Sequence, residues 1–251
     1  MKVASQLSSR RAYKDMTEFM DKKYNYNGVN IFLHREDITP ILRELLQRTA
    51  EPLTLIESTF AIDASGFGTY QFGDWKTEKW GGRPKQHTFV KCHIACGVMS
   101  HIITDAIITD STVGDMNVLP TLLDGTNGQF TIREVLADAG YLSNKNYEKI
   151  ASMKARGYIY FKDNVTGNRG CTAWKEAAKM FLKHNDEFER HYRMRKNVET
   201  VFYSIKMKFQ EKLKSVDFVA QVNELYCKLI AYNISVIIRM AHTDNLEVMF
   251  K

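Results

Sequence analysis

The order of periodicities between residues 54 and 162 constrains this chain more than any other feature. From Thr54 the pattern becomes one of short strands: LIESTFAID is rich in β-branched and aromatic residues and closes on Asp63, where Ala64-Ser65-Gly66 reads as a turn. HTFVKCHIACGVM and HIITDAIIT supply two more strands, with a turn over residues 97–100 between them. Strand and helix then alternate. Val118, Leu119, Leu122 and Leu123 have helical spacing, and REVLADAGY gives a fourth strand with Asp138 at its exit. NKNYEKIASMKARG reads as a helix ended by Gly157, and YIYFK as a fifth strand. Three consecutive strands followed by alternating helix and strand predict an α/β fold, a mixed five-stranded sheet flanked by helices.

The flanking segments are helical. Residues 7–20 and 36–48 carry helix patterns on either side of the turn-rich YNYNGVN; the second starts at Asp37, Thr39 and Pro40 and ends before Ala50-Glu51-Pro52. A short helical N-terminal segment is therefore expected over 1–57, the main domain over 58–243 and a tail over 244–251. After the polar loop DNVTGNRG come a helix over 172–183, a basic segment, and the long apolar helix VDFVAQVNELYCKLIAYNISVIIRMA, expected to cover the sheet. No apolar run is long enough to span a bilayer. Four cysteines in 251 residues, with no signal peptide before them, fit a reducing cytoplasm. Cys92 and Cys96 fall on one face of their strand and His93 on the other, which makes a buried strand the better reading than a zinc site.

Three acids stand out by position: Asp63 and Asp138 at strand exits, and Glu199 in YRMRKNVETVFYSIK. Acids at strand exits meet in a shared crevice of an open sheet, although an acid also takes such a place simply to stay solvated. On a helix, Tyr192, Arg195, Glu199 and Lys206 fall at roughly 0°, 300°, 340° and 320°, one stripe about 60° wide. Val198, Val201, Phe202, Ile205 and Phe209 form the adjoining apolar stripe. Two readings of Glu199 stay open at this point: charge balance among Arg190, Arg193, Arg195, Lys196, Lys206 and Lys208, or a metal ligand beside an anion-binding surface. The net charge of +6 suits a polyanionic partner. A second basic patch interleaves Trp75 and Trp80 with Lys76, Lys79, Arg83 and Lys85, either as a DNA-end surface or as a solvated loop whose tryptophans pack inward. Lys91 and His93 share a strand face that approaches the crevice, and Asp115 reads as a helix N-cap.

These residues together resemble the DDE transposases of prokaryotic insertion sequences. The family's Y-(2)-R-(3)-E-(6)-K signature is matched without a gap by Tyr192, Arg195, Glu199 and Lys206. LADAGYLSNKNY is similar to its strand-Asp-x-Gly-Tyr segment through Asp138, Gly140 and Tyr141, FAIDASGF to its opening Asp strand, and KQHTFVKCHIACGVMSHIIT to the Lys-x-His strand pair that follows. The resemblance implies an RNase H-like catalytic domain and two divalent ions, Mg or Mn, held by Asp63, Asp138 and Glu199. It also implies metal-dependent DNA strand cleavage followed by strand transfer. Double-stranded DNA is the implied partner, as terminal inverted repeats and as target, gripped by Arg195 and Lys206 with Tyr192, Arg193 and Lys196 beside them. A homodimer on DNA is implied as well. The few dozen residues between the fifth strand and Glu199 leave no room for the large β insertion domain that some members carry. Two rival readings use the same residues: a transposase-derived DNA-binding protein without activity, and a general RNase H-like nuclease.

Overall fold

Strand pairing organises the molecule around a five-stranded sheet, seen in a computed structural model that describes residues 27–69, 89–162 and 165–243 together with Lys14 and Glu18. The strands are β1 (Thr59–Gly68), β2 (Phe89–Gly97), β3 (Ile103–Thr109), β4 (Glu134–Ala137) and β5 (Arg156–Ile159), in the order β3-β2-β1-β4-β5. β3, β2 and β1 are antiparallel, with β2 and β3 joined by the short turn over residues 98–102; β1, β4 and β5 are parallel, with β4 and β5 joined through a helical crossover. This is the mixed sheet of an RNase H-like fold, and among the described residues no large insertion interrupts it.

Eight helices are described: α1 (Gly28–Leu33), α2 (Thr39–Ala50), α3 (Leu119–Asn127), α4 (Asn144–Ser152), α5 (Thr172–Lys183), α6 (Asn185–Tyr192), α7 (Lys196–Phe209) and α8 (Phe218–Thr243). α2 begins with Pro40 in its first turn, where the missing N–H costs nothing. It packs on α8 and on β3, where the Arg43 guanidinium donates to both oxygens of Asp105, at 2.9 and 2.5 Å. α8 is tied to the same strand by Tyr226 Oη donating to Ala106 O and by Asn233 bridging the backbone of Ile103. Phe60, Ile62, Ile94, Val135, Leu136 and Ile159 from the strands join Leu46, Leu123, Ile205 and Leu229 from the helices in one continuous core. No described helix is long and apolar enough to cross a membrane.

Four expectations are corrected. β1 does not close on Asp63 but runs five residues further, because β2 keeps pairing with it out to Gly68 opposite Phe89, and Phe67 is buried on that extension. α4 stops at Ser152, not Gly157. Lys154, at φ 58°, provides the left-handed residue after the helix, while Gly157 lies inside β5, where a Cβ would come within 3.1 Å of Tyr147 and Ile150. β5 accordingly starts at Arg156 and ends at Ile159. The basic segment is not one helix: α6 ends at Tyr192, a 3₁₀ turn covers Arg193–Arg195, and α7 follows. Asp115 is not an N-cap; Gly114 precedes the turn, and the Asp115 side chain pairs with Lys91. Most of residues 7–20, and the loop with Trp75, Lys76, Lys79, Trp80, Arg83 and Lys85, lie outside the described residues.

Candidate active site

Strand register brings the two aspartates together. In the parallel β1–β4 ladder the last pair is Ile62 opposite Ala137, so Asp63 and Asp138 are the next residues on adjacent strands. That is the carboxyl end of β4, where an open parallel sheet exposes side chains to a shared crevice. Each aspartate folds back on its own backbone: Asp63 Oδ1 accepts from Ala64 N–H at 2.8 Å, and Asp138 Oδ1 accepts from Ala139 N–H at the start of a 3₁₀ turn. Asp63 remains on a long strand because β2 holds its other side, with Ile94 as partner.

Glu199 arrives on α7. Val198, Val201, Phe202, Ile205 and Phe209 are all buried, and at about 1.5–3 kcal/mol for each large apolar side chain they anchor the helix with a gross burial on the order of 10 kcal/mol. Phe202 meets Phe67 of β1 with ring centroids 6.4 Å apart. The far end of α7 is fixed as well: after Gln210, at φ 65°, the buried Lys228 ammonium donates to the carbonyls of Gln210 and Lys212, and Glu224 accepts from the N–H groups of Lys214 and Ser215. At its start, Asn197 links the helix to the β2–β3 turn through His101 Nε2 at 3.0 Å.

Arg195 ties these parts together. Its Nη1 donates to Asp63 Oδ2 at 2.7 Å and its Nη2 to Glu199 Oε1 at 2.6 Å, with the side chain only 15% exposed. Asp63 is therefore joined to Glu199 through one guanidinium and lies beside Asp138. Burial lifts the Asp63 carboxyl above the ordinary range; the Ala64 N–H and Arg195 oppose the shift, and the charges of Asp138 and Glu199 add to it. Burial works against the charge on Arg195, but Tyr192, Asp63, Glu199 and Asp138 outweigh it and raise the guanidinium pKa. The three acids thus share one electrostatic field. Among the described residues no three acidic, histidine or cysteine side chains are close enough, as placed, to chelate one ion.

The other sequence candidates divide by position. Tyr192 packs against Tyr160 and Phe188 and also lies beneath Arg195, whose Cζ is 5.7 Å from the ring centroid. Lys206 lies two turns along α7, bonded to Glu211 at 2.9 Å and 5.4 Å from the centre of the Phe67 ring. Arg193, on the turn that carries Arg195, and Lys196, the first residue of α7, are exposed. Lys91 is held by Asp115, and His93 is buried, with Nδ1 3.4 Å from Tyr141 Oη and 3.6 Å from Asp115. This Lys91–Asp115–His93–Tyr141 group lies behind the Asp138 turn, where a Cβ on Gly140 would come within 3.2 Å of Asp115. Its members come from three separate segments, so spacing along the chain held no sign of it.

The fold is thus RNase H-like, with Asp63 on the first strand, Asp138 just past the fourth and Glu199 on a late helix. Residues 55–234 match the family of the transposase DDE domain, and the chain belongs to that family. No curated protein matches the chain.

Proposed function

We propose that this transposase-family protein cuts and joins DNA ends by metal-dependent phosphoryl transfer, as the DDE transposase of an insertion-sequence element. The observation that carries the reading is the bridging of Asp63 and Glu199 by Arg195 beside Asp138, which gathers acids from three elements at the carboxyl end of the parallel strands. The donor chemistry is that of divalent ions, two in this reading: Asp63, Asp138 and Glu199 offer carboxylate oxygens alone, which suit magnesium or manganese. Asp63 and Asp138 would hold ions from the sheet and Glu199 from the helix. Such a pair of ions supplies activation of a water or 3′ hydroxyl and stabilisation of the leaving oxygen in an in-line displacement.

The rest of the work falls to the protein's own side chains. Arg195 and Lys206 bind phosphates on either side of the break, and Tyr192 supports Arg195 from beneath. Exposed Arg193 and Lys196 extend the basic surface, Lys91 adds a cation near the Asp138 turn, and Trp75, Lys76, Lys79, Trp80, Arg83 and Lys85 are assigned to DNA contact on their sequence pattern alone. The partners are the element's double-stranded terminal inverted repeats and target DNA, handled by a homodimer in the nucleoid-containing cytoplasm.

The test is incubation of purified protein with Mg or Mn and DNA carrying the element's ends. Cleavage and strand-transfer products are expected, and Asp63→Ala, Asp138→Ala and Glu199→Ala should each lower them about 100-fold or more, the scale of removing one preorganised electrostatic group. Full activity in all three variants overturns the reading. Cleavage without joining points instead to a general nuclease, and binding without either product to an inactive DNA-binding derivative.

A further inference from the structure

Arg195 occupies the space that Asp63 and Glu199 share. Its two terminal nitrogens bond to one oxygen of each acid, while its Nε is enclosed and has no hydrogen-bond partner. A buried donor left unsatisfied is costly, so the clasp is an incomplete solution for the guanidinium even as it suits the acids. The acids need some cation, because neighbouring carboxylates held together in a partly desolvated crevice repel one another. A divalent ion between the same oxygens would meet the fixed positive charge of the guanidinium at close range.

We infer that Arg195 is a built-in counter-ion of the acid cluster, one that competes with divalent metal for Asp63 and Glu199 and swings away when metal takes its place. This rests on the reading of those acids as metal ligands. Metal affinity in the DNA-free protein is then held down by the arginine, and loading the site releases a guanidinium beside the bound phosphates. A phosphate that draws Arg195 outward would in turn raise metal affinity, since coupling between two binding sites is reciprocal.

The experiment is titration of DNA-free protein with Mn²⁺, with the free ion read by electron paramagnetic resonance. Arg195→Gln should bind Mn²⁺ about tenfold tighter than the unmodified chain, the effect of removing one close charge. Arg195→Lys, which keeps the charge but loses the fork, should lie between them and carries the test should the glutamine variant not fold. Arg193→Gln removes a charge two residues away that is 75% exposed, and should change affinity less than about twofold. An arginine that only braced Glu199 would give the opposite sign, weaker binding on its removal. Unchanged or weaker binding in the Arg195 variants, or equal tightening in Arg193→Gln, overturns the inference. Asp63→Asn separates it from the reading beneath: if that variant binds Mn²⁺ as before, the metal site itself is wrong. If it loses binding while the Arg195 variants show no tightening, only the counter-ion role falls.

Discussion

His93 shows how a single side chain near the site can set a pH limit without taking part in chemistry. Burial pushes its pKa down to about 4, Asp115 pulls it upward and Lys91 pushes it down further. In the unfolded chain the imidazole titrates near about 6.5. Between those values the unfolded state binds more protons, so His93 contributes its full stability above about pH 6.5 and loses it progressively as the pH falls towards 4. Urea midpoints measured from pH 7.5 down to 4 should decline in that window, and His93→Gln should flatten the decline; an equal slope in the variant would assign the loss to carboxylates. The alternation of VKCHIACGV put His93 opposite the cysteines, but its partners were hidden in the sequence. Asp115 read as a cap because an acid after Gly114 has a cap's local pattern, whereas Lys91, its partner, lies far back in the sequence on β2.

Elements were legible where periodicity was long and misread where one residue type serves two purposes. The apolar stripe of α7 was visible as such, and its five residues are buried as the spacing predicted. Gly157 suited a helix end equally well on paper, yet it is in β5, where an added Cβ would press on Tyr147 and Ile150 at 3.1 Å. Gly157→Ala should therefore destabilise by about 1–3 kcal/mol through overpacking, rather than by the smaller loss of a glycine cap. Denaturant unfolding gives the number, and a change below about 0.5 kcal/mol, the scale of an ordinary surface substitution, would show that the core yields there. Ala64-Ser65-Gly66 misled in a similar way: small residues at a turn and small residues in a strand look alike until the partner strand is known. For α7, Phe202→Ala should cost about 3–5 kcal/mol and lower DNA cleavage together with stability, because the ring that meets Phe67 also fixes the height of Glu199 over β1. Loss of stability with cleavage unchanged would separate the anchor from the site.

At the scale of the molecule, a mixed five-stranded sheet was legible in three strands followed by alternating helix and strand, whereas the order β3-β2-β1-β4-β5 is known only from the pairing, and the grouping of Asp63, Asp138 and Glu199 was suggested only by the family resemblance. Spacing in the chain could not disclose that β3, far from the acids, is bound to an N-terminal helix through a buried charge. Asp105 is fully enclosed and is neutralised by Arg43 of α2, with Gln47 Nε2 3.0 Å from the same carboxylate. Leu42, Leu46 and Ala50 of α2 are buried in the same core as the strands. Arg43→Ala strands a carboxylate without its cation and should cost about 3–5 kcal/mol, the range for breaking a buried ion pair. Arg43→Met with Asp105→Asn, which removes both charges and keeps the volume, should recover most of that loss. Because β3, β2 and β1 form one continuous hydrogen-bonded ladder, the unfolding of α2 and of the acid-bearing strands should be a single transition, followed equally by near-ultraviolet circular dichroism and by amide exchange at Ile62 and Ala137. Exchange at those amides that stays fully protected in Arg43→Ala, while α2 opens, would show that the N-terminal helix is an attachment and that the site stands on the sheet alone.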